Sequence, residues 1–168
     1  KEFGENMLEL QSLSVDGLFK DVSFNVRKGE IVGMYGLVGA GRSEVAETIF
    51  GLRKPSSGEI LLDGRVAQLR SSHDAVAAGV ALVPEDRKDQ GLILGMNCRD
   101  NMTLAGLQSV SSRGFMRAAA EKSVYDKYQQ AMKIKTPGWR QKVGNLSGGN
   151  QQKIVIGKWL HTQPKLLI

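Results

Sequence analysis

The octapeptide Gly36-Leu37-Val38-Gly39-Ala40-Gly41-Arg42-Ser43 constrains this chain more than any other stretch. It follows the apolar run Ile31-Val32-Gly33-Met34-Tyr35, which reads as a buried strand. It precedes Glu44-Val45-Ala46-Glu47-Thr48-Ile49-Phe50, which reads as helix. Strand, glycine-rich turn and opening helix together form the context of a phosphate-binding loop. Glycines at 36, 39 and 41 let the backbone take positive φ and turn its N–H groups onto an anion. The helix start adds unpaired N–H groups and the positive end of its dipole. Ser43 carries a hydroxyl where such loops hold Mg²⁺. Position 42 departs from the pattern, which asks for Lys. Arg keeps the charge but presents a wide planar fork in place of a compact ammonium. Taken alone, the stretch is either such a loop or an ordinary strand-to-helix turn.

Composition narrows the class. With 168 residues, 41% hydrophobic and 24% charged, the chain can bury a substantial core as one globular domain. No apolar run reaches the ~18 residues of a membrane-spanning helix. Lys1-Glu2-Phe3-Gly4 does not read as a secretory signal. The single cysteine, Cys98, excludes an internal disulfide, fits a reducing compartment and reads as a packing residue. His73 and His161 lack metal-ligand spacing and read as surface residues. The formal charge of +6 suits a polyphosphate or an anionic surface, although the basic residues are scattered. Without interleaved aromatics, nucleic acid is not an expected partner.

Along the chain, Met7 to Val15 and Val22 to Val26 alternate as half-buried strands around the turn Asp16-Gly17. The helix from about Ser43 to Phe50 ends at Gly51. Glu59-Ile60-Leu61-Leu62 is a strand closed by Asp63-Gly64. Ser72 to Ala78 is helical, Gly79 stops it, and Val80 to Val83 is a second core strand. Glu85 to Gly91 is a charged loop. Asn97 to Leu107 and Arg117 to Lys133 read as helices with no strand between them. Val124, Tyr128, Ala131 and Met132 recur at helical spacing and are expected in the core. Residues 91–145 thus form a helical insertion in an α/β domain.

A second loaded stretch decides between the two readings of the loop: Asn145-Leu146-Ser147-Gly148-Gly149-Asn150-Gln151-Gln152. Ser147 is placed to cap a helix, and Gly148-Gly149 lets backbone approach an anion. A bare Ser-Gly-Gly is usually only a cap. Here Leu-Ser-Gly-Gly-x-Gln lies a helical region downstream of the phosphate loop and is followed by Lys165-Leu166-Leu167-Ile168. That order resembles the nucleotide-binding domain of ATP-binding cassette (ABC) transporters, whose signature is Leu-Ser-Gly-Gly-x-Gln. Val-Pro-Glu-Asp-Arg-Lys at 83–88, Gly-Leu-Ile-Leu-Gly-Met at 91–96 and Asn-Met-Thr-Leu at 101–104 narrow the likeness. They are similar to the ATPase subunit of monosaccharide importers of ribose, galactose, arabinose and xylose type. That subunit fuses two cassettes, and its second carries Arg where the phosphate loop otherwise has Lys.

The resemblance implies an α/β P-loop NTPase (RecA-like) core with an antiparallel β subdomain and an inserted α-helical subdomain. Residues 1–90 would form the first part of the core, 91–145 the helical subdomain, and 146–168 the signature, its helix and the start of the Walker B strand. ATP would bind through Gly36, Leu37, Val38, Gly39, Ala40, Gly41, Arg42, Ser43 and Glu44. Ser147, Gly148 and Gly149 would complete the nucleotide site of a sister cassette. Ser43 and Glu85 would serve Mg²⁺, Glu85 standing where the family usually has glutamine, and Glu85 and Ser147 would be the catalytic residues. Phe19 is the nearest aromatic for stacking on adenine. The implied partners are the sister cassette, transmembrane permease subunits and, indirectly, a periplasmic or extracellular sugar-binding protein. The implied place is the cytoplasmic face of the plasma membrane, peripherally held. By the family pattern the Walker B Asp and Glu follow Ile168, so the 168 residues alone are expected not to hydrolyse ATP. The alternative is a non-catalytic cassette that docks its partners without nucleotide.

Overall fold

Strand β1, Asn6–Val15, is the centre of an antiparallel sheet because it alone buries side chains along its whole length: Met7, Leu8, Leu10 and Leu13. The computed structural model describes residues 3–168 of the chain. The reading of Lys1 to Gly4 therefore falls in part on Lys1 and Glu2, which lie outside the described residues. β2, Phe19–Arg27, pairs with one edge of β1, and β3, Ser57–Leu62, with the other; β4, Arg65–Val66, closes the order β2-β1-β3-β4. Leu8 faces Val26 and Leu62, and Leu10 faces Phe24 and Ile60, so apolar pairs stack on one face. A register shift between Leu10 and Leu13, with Ser12 at φ 47°, advances the phase by one residue and returns Leu13 to the buried face. Gly58 opposes this bulge at φ 84°, and a Cβ there would land on the Ser12 carbonyl.

The described residues form two compact units, one reaching Leu82 and taking in Lys165–Ile168, the other Val83–Pro164. The first adds helix α1, Arg42–Ile49, helix α2, Ser72–Ala77, and a parallel pair of β5, Val80–Ala81, with β8, Leu166–Leu167. Of the strand expected over Val80 to Val83 the first two residues are present and Leu82-Val83 are irregular, and of Lys165 to Ile168 the central Leu166-Leu167 form strand. The expectation for Ile31 to Tyr35 is corrected. This stretch is irregular, with Ile31 93% and Tyr35 101% exposed. Among the described residues no strand runs beside it, and a parallel strand is held only by neighbours on its edges and cover on both faces.

In the second unit, helices α3, Cys98–Thr103, α4, Ala118–Ala131, and α5, Gly148–His161, enclose a core of Cys98, Met102, Tyr125, Tyr128, Ile154 and Val155, joined by Ile134 and Val143. Cys98 packs at zero exposure, as expected, and its thiol donates to the Gln141 carbonyl. Three expectations are corrected here. Helix α3 ends at Thr103 and continues as a 3₁₀ segment, Leu104–Val110. A hairpin of β6, Ser111–Ser112, and β7, Phe115–Met116, stands between α3 and α4. On α4 the inward residues are Tyr125 and Tyr128, with Val124 and Met132 half-buried and Ala131 exposed. His161 is also not a surface residue: it is half-buried, 3.0 Å from Ser109 Oγ and edge-on to Tyr128, while His73 is exposed.

Candidate functional site

The phosphate loop belongs to the first unit. Gly39 and Gly41 take φ of 82° and 79°, the left-handed region that glycine enters freely. Gly41 is the N-cap of α1 and its carbonyl accepts the Val45 N–H at 2.9 Å. Helix geometry then leaves the N–H groups of Arg42, Ser43 and Glu44 outside the ladder and aimed past the loop. The Ala40 N–H closes a turn on the Leu37 carbonyl at 3.1 Å. Leu37, Val38, Gly39, Ala40 and Ser43 are exposed, and a side chain at Gly39 would meet nothing within 4 Å, so the loop mouth is open. Arg42 is not directed away from it. Its Nη2 donates to the Leu37 carbonyl at 3.3 Å and its stem runs past Gly36, where a Cβ would stand 3.7 Å from Cδ.

Against this loop lies the β1–β2 connection. A Cβ at Gly41 would come to 3.3 Å from the Phe19 Cβ and 3.5 Å from the Leu18 carbonyl. Ser14, Val15, Asp16, Gly17, Leu18, Phe19, Lys20 and Ser57 line a groove of ≈ 460 Å³. The aromatic singled out in the sequence therefore borders the phosphate loop.

The second unit holds Glu85, Ser147, Gly148 and Gly149. Ser147 is the N-cap of α5, but its side chain makes no capping bond; its hydroxyl accepts from Asn150 Nδ2 at 2.9 Å instead. The expected side-chain cap is thus corrected, because Asn150 competes for the oxygen. Gly148 and Gly149 are exposed in the first turn. Glu85 is exposed, and Asp86 next to it is a cap: its Oδ1 accepts the N–H of Lys88 at 2.7 Å and of Asp89 at 3.1 Å. These bonds hold the Asp86 carboxyl below the usual carboxylate range. They fold Arg87–Gly91, expected as a loop, into a single π-helical turn. Among the described residues no group of three or more His, Cys, Asp or Glu is arranged to hold a metal ion, and no helix is long and apolar enough to cross a membrane.

Residues 19–168 match the family model for ABC transporters. The chain belongs to the ABC transporter family. Over 166 residues it is 48% identical to a ribose import ATP-binding protein of Rhizobium johnstonii, covering 99% of this chain and 32% of that protein. Over 166 residues it is 45% identical to the ribose import ATP-binding protein of Oceanobacillus iheyensis, with 99% and 34% covered. The chain spans about a third of the length of the curated relatives it matches. Its fold is that of solved ABC cassettes. One, an ATP-binding cassette of an ABC transporter in its ADP conformation, matches at TM-score 0.77, 21% identity, 97% of this chain and 67% of that one. Another is cbiO1 of Clostridium perfringens, part of the ABC transporter complex cbiONQ, at TM-score 0.75 and 20% identity, over 97% and 64%.

In this ABC chain, side-chain hydrogen bonds between residues far apart in sequence support the signature region. Arg87 Nε donates to Gln151 Oε1 at 3.3 Å, and Gln151 Nε2 donates to the Val143 carbonyl at 3.2 Å, so one buried amide ties the π-turn to the segment before the signature. Lys158 is buried and its Nζ donates to the Gly91 carbonyl at 2.7 Å. Asn101, also buried, accepts the Ile93 N–H and donates to the Ile93 and Asn97 carbonyls, pinning residues 93–97 onto α3. Arg87, Asn101 and Gln151 lie in motifs the sequence displays, but nothing in those motifs announces their hydrogen bonds; Lys158 shows only as a polar residue on an otherwise apolar helix stripe.

Proposed function

We propose that this chain is an ATP-binding cassette of a monosaccharide importer, the cassette whose phosphate loop carries Arg42, and that it couples ATP binding and hydrolysis to sugar uptake. In this reading Gly36 to Glu44 take the nucleotide phosphates and the groove beside Phe19 receives the base. Ser43 supplies a hydroxyl and Glu85 a carboxylate toward Mg²⁺. Ser147, Gly148 and Gly149 complete the site of a sister cassette. The partners are that cassette and permease subunits at the cytoplasmic face of the membrane, with a sugar-binding protein acting through them.

The observation that carries the reading is the loop itself. Two left-handed glycines, the free N–H groups of the first turn of α1 and one guanidinium converge at an open mouth. Those donors fit a polyphosphate. Mg²⁺, when bound, neutralises charge on the phosphates; the chain's part is to hold and orient them. Relatives at 45% to 48% identity that are import ATP-binding proteins support the sugar-importer assignment. Calorimetry of the protein with Mg-ATP, beside Arg42→Ala, tests it. Binding that is lost in the variant is expected; no binding by folded protein would overturn the nucleotide assignment.

One contact favours a second reading, a scaffold cassette that docks its partners without nucleotide. Arg42 already spends a donor on the Leu37 carbonyl, bracing the loop on itself. Protection of Gly36 to Ser43 from hydrogen exchange only when nucleotide is added would reject that scaffold.

A further inference from the structure

The β6–β7 hairpin is the part of the second unit that its core does not explain. Ser112 through Ala119 are all exposed, and Phe115 is 78% exposed at the tip. The pairing sets Ser112 opposite Phe115 and Ser111 opposite Met116. Phe115 therefore shares its face with a small exposed serine, and nothing of the hairpin covers the ring. The turn is made by Arg113 at φ 53° and Gly114 at φ 83°. A two-residue turn with both φ positive prefers Asn or Gly at its first position, and an arginine there is held at a steric cost. Arg117 directly precedes α4, where the helix dipole opposes a cation. Among the described residues neither guanidinium has an ion pair or a side-chain hydrogen bond. From Asn101 to Ala120 the sequence contains no Asp or Glu.

We infer that this hairpin docks on an anionic lipid surface, Phe115 entering the headgroup region and Arg113 and Arg117 lying on lipid phosphates. An exposed aromatic flanked by unpaired cations is the composition of an interfacial anchor. A protein partner is disfavoured by shape. Specific interfaces bury about 800 Å² per side, and two strands of two residues offer neither a groove nor an edge of that extent.

The test is co-sedimentation of the protein with phosphatidylcholine vesicles that contain or lack phosphatidylglycerol. Binding only to the anionic vesicles, weakened by salt, is expected. Each of Arg113→Ala and Arg117→Ala should weaken it about fivefold, and Phe115→Ser about tenfold. Because all three side chains are exposed, the variants should melt with the wild type, which separates lost docking from lost folding. Phe115→Trp reports insertion directly, since lipids brominated near the headgroup should quench its emission beyond the background of Trp139 and Trp159. No binding, equal binding to both vesicle types, binding unaltered by the three substitutions, or binding only when permease protein is present would each overturn the inference.

Discussion

A Cβ placed on Gly148 would stand 2.9 Å from Arg87 Nη2, so the arginine lies across the first residue of α5 with room for hydrogen alone. The obstructing atom is the far end of a flexible side chain, which can swing away. Gly148→Ala should therefore change stability by no more than about 0.5 kcal/mol. Under the proposed function the same methyl keeps a partner's nucleotide from the α5 backbone. Turnover by this cassette assembled with its sister cassette should fall about a hundredfold, the scale of losing one preorganised donor. Thermal melting and ATPase assays read the two effects separately. A variant that melts normally and turns over normally would remove Gly148 from the site.

Gly157 gives the opposite outcome from the same substitution. It lies inside α5, and a Cβ there would meet Met102 Sδ, with Tyr128 Cβ at 3.4 Å. Met102 has zero exposure, so moving its thioether aside requires the surrounding core to repack. Alanine improves helix propensity by about 1 kcal/mol, whereas overpacking a closed core costs about 1–3 kcal/mol. Gly157→Ala should be net destabilising by about 1 kcal/mol in urea unfolding. Pairing it with Met102→Ala should cost less than the two separate losses added together, because the added methyl fills part of the space the thioether leaves.

These two glycines mark what the sequence makes legible. Alternation finds β1 and β2, and capping chemistry finds α1 and α2, because those signals lie within a few residues of one another. The two loops that bear the site are legible for the same reason: glycine spacing is local. Ile31 to Tyr35 misleads, since an apolar run signals burial only if neighbours drawn from distant sequence close over it. The bulge at Ser12 depends on Gly58 and has no local sign. The β6–β7 hairpin hides because two-residue strands are too short to show alternation and Arg113-Gly114 is a rare turn pair. Arg87 and Gln151 are 64 residues apart, and no pattern announces their bond.

Asp63 joins two distant lysines, Lys28 Nζ at 2.8 Å and Lys165 Nζ at 3.1 Å. The Lys28 hydrogen bond, followed by that from Lys165, holds its carboxyl below the ordinary value. The folded state therefore binds the proton less readily than the unfolded chain. The stabilisation is present above the ordinary carboxylate value and is lost as pH falls through the depressed one. All three side chains are largely in water, so the contribution is small and screened by salt. A carboxyl-detected NMR titration should show the Asp63 midpoint rise in Lys28→Met, and rise less in Lys165→Met. An unmoved midpoint would show that the pairing does not persist in solution.

Lys158 is the more demanding case, because the residue is 7% exposed and its ammonium donates to one carbonyl, Gly91, at 2.7 Å. The ammonium lies 5.2 Å from the centroid of the Trp159 ring, and among the described residues no carboxylate pairs with it. Burial pushes the ammonium below its ordinary 10.5. Between the lowered folded value and 10.5 the unfolded chain holds a proton that the folded chain has released, so stability rises with pH across that window. Lys158→Met keeps the length and removes the charge, and it should abolish this component of the slope. At neutral pH it leaves the Gly91 carbonyl without its donor, a cost of about 1–3 kcal/mol. It also relieves the desolvated charge, which can return a similar amount. The Met variant should thus lie within about 1 kcal/mol of wild type, whereas Lys158→Ala, which adds a cavity, should lose about 2–4 kcal/mol. Urea unfolding across neutral to alkaline pH measures both quantities. Equal slopes in wild type and Lys158→Met would mean that water reaches the ammonium, and that the tie between Gly91 and α5 is looser than its 2.7 Å contact implies.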